Sequence, residues 1–90
     1  MIQARIIFHG KVQGVFFRKC VFEHAKKFSV HGYVRNLSDD TVEALFQGKK
    51  SEIEKLIEVI KKNPGSASIS KIELEYQDMG KKYFDFVIEY

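Results

Sequence analysis

Apolar residues Ile2, Ala4, Ile6 and Phe8 alternate with Gln3 and Arg5, and this period of two predicts a half-buried strand. Gly10 to Gly14 breaks the pattern and reads as a loop. Beyond it Phe17, Cys20, Val21, His24, Ala25 and Phe28 recur at steps of three and four, so residues 17–28 form an amphipathic helix. His31–Asn36 reads as a second strand and Leu37–Asp40 as a turn rich in Ser and Asp. Thr41–Gln47 is a third strand, with Val42, Ala44 and Phe46 on one face. Two strands so close in sequence make a hairpin.

Ser51 followed by Glu54 predicts a capping box at the start of a second helix, whose apolar face is Ile53, Leu56, Ile57 and Ile60. Asn63-Pro64-Gly65 ends it, because proline cannot continue a helix. Ile72, Leu74 and Tyr76 alternate with Lys71, Glu73 and Glu75 as a fourth strand, and Phe84, Phe86, Ile88 and Tyr90 alternate as a fifth.

The element order is therefore βαββαβ plus a C-terminal edge strand. Right-handed crossovers place both helices on one face of a mainly antiparallel sheet, with the first strand central. The expected product is an α+β fold, a ferredoxin-like two-layer sandwich, forming one domain over residues 1–90. The other face of the sheet meets solvent or a partner. This architecture hosts many functions, so it names none.

Composition narrows the field only modestly. A net charge of +3 favours an anionic ligand, but the acidic and basic residues are well mixed, as on an ordinary solvated surface. Cys20 is the sole cysteine, which rules out an intramolecular disulfide and a thiolate zinc site. His9, His24 and His31 lie too far apart for a metal-ligand spacing. No run approaches the roughly 20 apolar residues of a membrane span, and the start of the chain lacks the order of a secretory signal. A cytoplasmic location and no membrane association are expected.

The chemistry concentrates in Gly10-Lys11-Val12-Gln13-Gly14-Val15-Phe16-Phe17-Arg18. This run joins a central strand to a helix N-terminus, where unpaired amides and the helix dipole favour an anion. Gly14 permits close approach and backbone angles that a Cβ forbids. Arg18, in the first turn, opposes the dipole unless an anion lies between them, and its planar fork matches phosphate. Taken alone, these features fit a turn glycine and a solvated arginine as well. The Gly-Lys-Ser/Thr ending of a nucleotide loop is absent.

Val12-Gln13-Gly14-Val15-Phe16-Phe17-Arg18 resembles the V-Q-G-V-x-F-R signature of the acylphosphatase family. A second family block, G-x-V-x-N followed by D-G-T-V-E, is resembled by Gly32-Tyr33-Val34-Arg35-Asn36 and Asp39-Asp40-Thr41-Val42-Glu43. The resemblance covers essentially the whole chain and implies hydrolysis of the carboxyl–phosphate bond of acyl phosphates. By that similarity the substrate-binding residues are Gln13, Gly14, Val15, Phe16, Phe17 and Arg18, through loop amides and the Arg18 guanidinium. Asn36 is similar to the asparagine that orients the attacking water, so Arg18 and Asn36 are the expected catalytic residues. No metal and no cofactor are expected, the partner is a small acyl phosphate, and the chain is expected to act as a monomer without nucleic acid.

One position departs from the family pattern, since Asp40 stands where glycine is usual. A positive φ there costs Asp more than Gly, so altered aim of Asn36 or altered efficiency is expected at most. A ferredoxin-like module that binds RNA or a phosphorylated ligand without turnover is the competing reading. Its RNA form needs a Lys/Arg-Gly-Phe/Tyr strand motif, which is absent. A silent family member, or one used within a larger protein, is a third.

Overall fold

The computed structural model describes residues 1–90. Its elements are β1 (Ile2–Lys11), α1 (Phe17–Ala25), β2 (His31–Asn36), β3 (Val42–Gly48), α2 (Lys50–Lys62), β4 (Ser68–Gln77) and β5 (Phe86–Glu89). They build one sheet in the order β4-β1-β3-β2-β5, antiparallel throughout except where β5 runs parallel to β2. Both helices cover one face, giving the expected ferredoxin-like sandwich. Alternation explains the choice of face: Ala4, Ile6 and Phe8 of β1, and Val42, Ala44 and Phe46 of β3, are completely buried against the helices. Phe17, Val21 and Ala25 of α1 and Ile53, Leu56, Ile57 and Ile60 of α2 supply the opposing layer. Phe8 and Phe17 meet edge to face at 5.1 Å, which fixes the N-terminus of α1 over the end of β1.

Several boundaries differ from the sequence reading, each for a local reason. β1 continues through Gly10 and Lys11, because both pair with β4 across a bulge after His9. A side chain at Gly10 would collide with the Ser68 carbonyl, so glycine is what allows the two strands to stay paired there. α1 stops at Ala25, since Lys27 and Phe28 donate to carbonyls only three residues back. That tightened turn keeps Phe28 packed on the core, which is why its periodicity persists past the helix end.

The capping box at Ser51 and Glu54 does not form. α2 begins at Lys50, with Lys49 as N-cap and no side-chain cap bond. Pairing with β1 carries β3 as far as Gly48, so one residue separates strand from helix and Ser51 falls inside the first turn. β5 is shorter than its alternation suggests: Phe84 and Tyr90 lie outside it and are exposed, while Phe86 alone fills the core.

The face away from the helices is not simply open. β4 and β5 occupy opposite edges, so residues 78–85 must cross the whole sheet. Four strand spacings come to about 19 Å, comfortably within the roughly 26–29 Å that eight extended residues reach. The strap is pinned as it passes: Gln47 donates from Nε2 to the Lys81 carbonyl (2.6 Å) and accepts at Oε1 from the Tyr83 amide (2.9 Å). Beside it Glu43, with a side chain only 2% exposed, accepts from Arg5 at 2.5 Å, Arg35 at 2.6 Å and the Tyr33 hydroxyl at 3.0 Å. Burial pushes the Glu43 carboxyl up, but the bonds from Arg5, Tyr33 and Arg35 outweigh it and hold it below its ordinary range. Burial and the bond to Glu43 push the Tyr33 phenol up to about 12.

Candidate active site

Four segments converge at the N-terminus of α1: the loop after β1, the first helical turn, the end of β2 and the end of the chain. Phe16 enters the helix in the left-handed region, with φ 59° and ψ 27°, and Gly14 before it has φ 74°. The φ of Gly14 is what demands glycine, since a Cβ there would meet nothing within 4 Å. Space therefore remains open on that side of the loop. α1 has neither a side-chain cap nor an acidic residue in its first turn. Cys20, bonded to the Phe16 carbonyl, is the first residue of α1 whose amide has a backbone acceptor. The helix thus starts with unpaired amides and the positive end of its dipole.

A cavity of about 270 Å³ adjoins this start, lined by Val12, Gly14, Phe16, Phe17, Arg18 and Asn36. Arg18 donates from one guanidinium nitrogen to the Glu89 carbonyl at 3.0 Å, and its guanidinium lies 4.7 Å from the centre of the Tyr90 ring. Both contacts hold the group in place while leaving its charge uncancelled, since no carboxylate side chain pairs with it. Asn36, at the end of β2, lines the same cavity and carries one side-chain oxygen, Oδ1. That oxygen is buried and has no hydrogen-bond partner in the protein. Buried polar atoms are nearly always paired, so this oxygen beside the cavity is an acceptor left for a partner that the protein does not supply.

Among the residues expected from the sequence, Gly14, Phe16, Phe17, Arg18 and Asn36 are brought together, and Val12 joins them. Gln13 and Val15 are not among the lining residues. The Gln13 side chain reaches the β2–β3 hairpin, where its Nε2 donates to the Leu37 and Thr41 carbonyls, both at 2.8 Å. Val15 faces a separate groove along α1. No sequence signal points to the carbonyl of Glu89 or the ring of Tyr90, because only the parallel pairing of β5 with β2 delivers them to Arg18.

The hairpin next to Asn36 shows how Asp40 is accommodated. It takes φ 70°, the left-handed conformation that glycine would adopt, and the turn still closes with the Leu37 amide on the Thr41 carbonyl at 2.9 Å. Asp39 caps the same turn, accepting from the Thr41 amide and hydroxyl, and those two bonds hold its carboxyl below the ordinary range. Strain of order 1 kcal/mol at Asp40 is thus absorbed without opening the turn.

No three His, Cys, Asp or Glu side chains cluster closely enough to hold a metal ion, and no helix is long and apolar enough to cross a membrane. Comparison with known proteins assigns the family. An acylphosphatase from Picrophilus torridus is 46% identical over 84 residues, covering 93% of this chain and 98% of that protein. One from Pelotomaculum thermopropionicum is 35% identical over 98% of this chain and 96% of that protein. The crystal structure of acylphosphatase from Bacillus subtilis superposes with a TM-score of 0.93, each chain fully covered, at 32% identity. The sequence profile of acylphosphatases matches residues 4–88, and with two curated relatives and a solved structure agreeing along the whole length, this chain belongs to the acylphosphatase family.

Proposed function

We propose that the chain hydrolyses acyl phosphates to a carboxylate and inorganic phosphate in the cavity between Gly14, Arg18 and Asn36. The observation that carries this reading is that Arg18, Asn36 and the first turn of α1 line one cavity, with the Asn36 Oδ1 left without a hydrogen-bond partner. In this reading the loop amides from Gln13 to Arg18 and the guanidinium hold the phosphoryl oxygens, neutralising the charge that builds on them. Asn36 Oδ1 accepts a hydrogen bond from water and aims its lone pair at phosphorus.

Water forms the new P–O bond while the bond from phosphorus to the acyl oxygen breaks, its electron pair leaving with the carboxylate. The proton lost by water passes to a phosphate oxygen of the substrate, since an amide such as Asn36 is not a base. A carboxylate leaving group, of pKa about 4, departs without a general acid. Phosphoryl transfer asks mainly for positioning and charge stabilisation, which amides and an arginine supply. The reaction so described uses no metal and no cofactor.

The RNA-binding alternative is disfavoured by the far face of the sheet. Its middle is taken up by Glu43 and its arginines and by the strap over Gln47, which covers the strands where an RNA-binding sheet presents its stacking rings.

The test is hydrolysis of benzoyl phosphate in the presence of EDTA. Arg18→Gln is expected to lower kcat/KM by about 100-fold with a raised KM, and Asn36→Ala to lower kcat by about 100-fold with KM little changed. Wild-type rates in either variant would remove that residue from its role.

A further inference from the structure

The 270 Å³ cavity holds a phosphoryl group and a water with space left only for a small acyl group, so a longer one must extend past its lining. A larger groove, of about 870 Å³, runs along α1 and shares Phe16 with the cavity. Phe16 sits at the border of the two, held in the left-handed region and 84% exposed. Non-glycine residues are seldom kept in that conformation, nor a large apolar ring so open to water, without a use for the side chain there.

Beyond Phe16 the groove is basic. Lys19 of α1, Lys27 in the turn after it and Lys62 of α2 line it against a single carboxylate, Glu23, and none of the three lysines is in an ion pair. The far wall is fixed to the helix at one point. The Asn63 carbonyl accepts from His24 Nε2 at 2.9 Å and from the Cys20 thiol at 3.3 Å. The groove is therefore formed before anything binds. Between Phe16 and Lys27 it follows the full length of α1, about 14 Å.

We propose that this groove is the acyl subsite and that it selects acyl phosphates whose acyl group carries its own negative charge. The proposal rests on the acylphosphatase reading of the neighbouring cavity. Phosphate sits at the helix start, the acyl body passes over the Phe16 ring, and its distal anion lies among Lys19, Lys27 and Lys62. Solvated lysines attract such an anion modestly, so the preference is about three- to tenfold in kcat/KM and fades with salt.

The experiment compares benzoyl phosphate with 4-carboxybenzoyl phosphate, a rigid pair differing by one carboxylate that cannot curl back on the anhydride. The wild-type chain is expected to favour the carboxylated substrate three- to tenfold at low ionic strength and to lose the preference in 0.5 M NaCl. The triple variant Lys19→Gln, Lys27→Gln, Lys62→Gln is expected to treat both substrates alike, the ratio of their kcat/KM values being the readout. A control triple with the same change in net charge, Lys49→Gln, Lys50→Gln, Lys55→Gln, is expected to keep the preference. Equal rates for the two substrates in wild type, or an equal loss of preference in both triples, would overturn the subsite. Hydrolysis of neither substrate by the wild-type chain would instead remove the acylphosphatase reading itself.

Discussion

Gln13 uses one side-chain amide to join the two parts of the site. Its Nε2 donates to carbonyls on both sides of the β2–β3 turn, Leu37 and Thr41, so the loop after β1 and the strand end that carries Asn36 cannot shift independently. The family resemblance points to Gln13 as a binding residue, yet side-chain direction is not written in a motif. Gln13→Ala should leave phosphate affinity nearly intact while Asn36 loses its register. We expect kcat to fall about tenfold with KM changed less than threefold, measured on benzoyl phosphate. Gln13→Glu should do at least as much harm, because a carboxylate would face two carbonyl oxygens. A variant with unchanged kcat would free Gln13 from this positioning role.

The elements were unevenly legible. Alternation in β1, β2 and β3 and the Ile53–Ile60 stripe of α2 identify their buried faces from sequence, because burial against the helices imposes those periods. The same rule turns Glu43 and Gln47 outward as polar, and so conceals that both are buried. Their cover comes from Arg5, Arg35 and Tyr33 and from the strap, all contacts between distant segments. The start of α2 misled for a related reason: strand pairing, not the local Ser51–Glu54 spacing, set where the helix could begin.

Glu43 gives a stability prediction at this scale. Its folded pKa lies below the ordinary value of 4.5, so its contribution is present above that pH and is lost as pH falls through the folded value. Glu43→Gln should therefore cost about 2 kcal/mol near neutrality, roughly 10 °C in Tm. The gap from wild type should shrink below about pH 4.5 and close once the native carboxyl is protonated. Thermal melts of both proteins between pH 2 and 7 would show whether the two curves converge; parallel curves would mean that the Glu43 carboxyl titrates alike in the folded and unfolded chain.

For the molecule as a whole, the setting of Arg18 depends on the least supported strand. β5 has four residues and one ladder, against β2 only, and is anchored chiefly by Phe86, whose ring meets Phe22 and Phe46. β1 and β3 are each paired on both sides. Burial of one phenylalanine contributes about 2 kcal/mol, so β5 should detach well before the sheet does. Native-state hydrogen exchange should find the Val87–Glu89 amides opening at least about 2 kcal/mol more easily than those of Ile6 and Ala44. Uniform protection across all five strands would contradict this order.

A short last strand therefore sets a working limit as well as an edge. On warming, the catalyst should fall silent while circular dichroism still reports intact helices, because the guanidinium has lost the carbonyl of Glu89 and the ring of Tyr90 that kept it aimed.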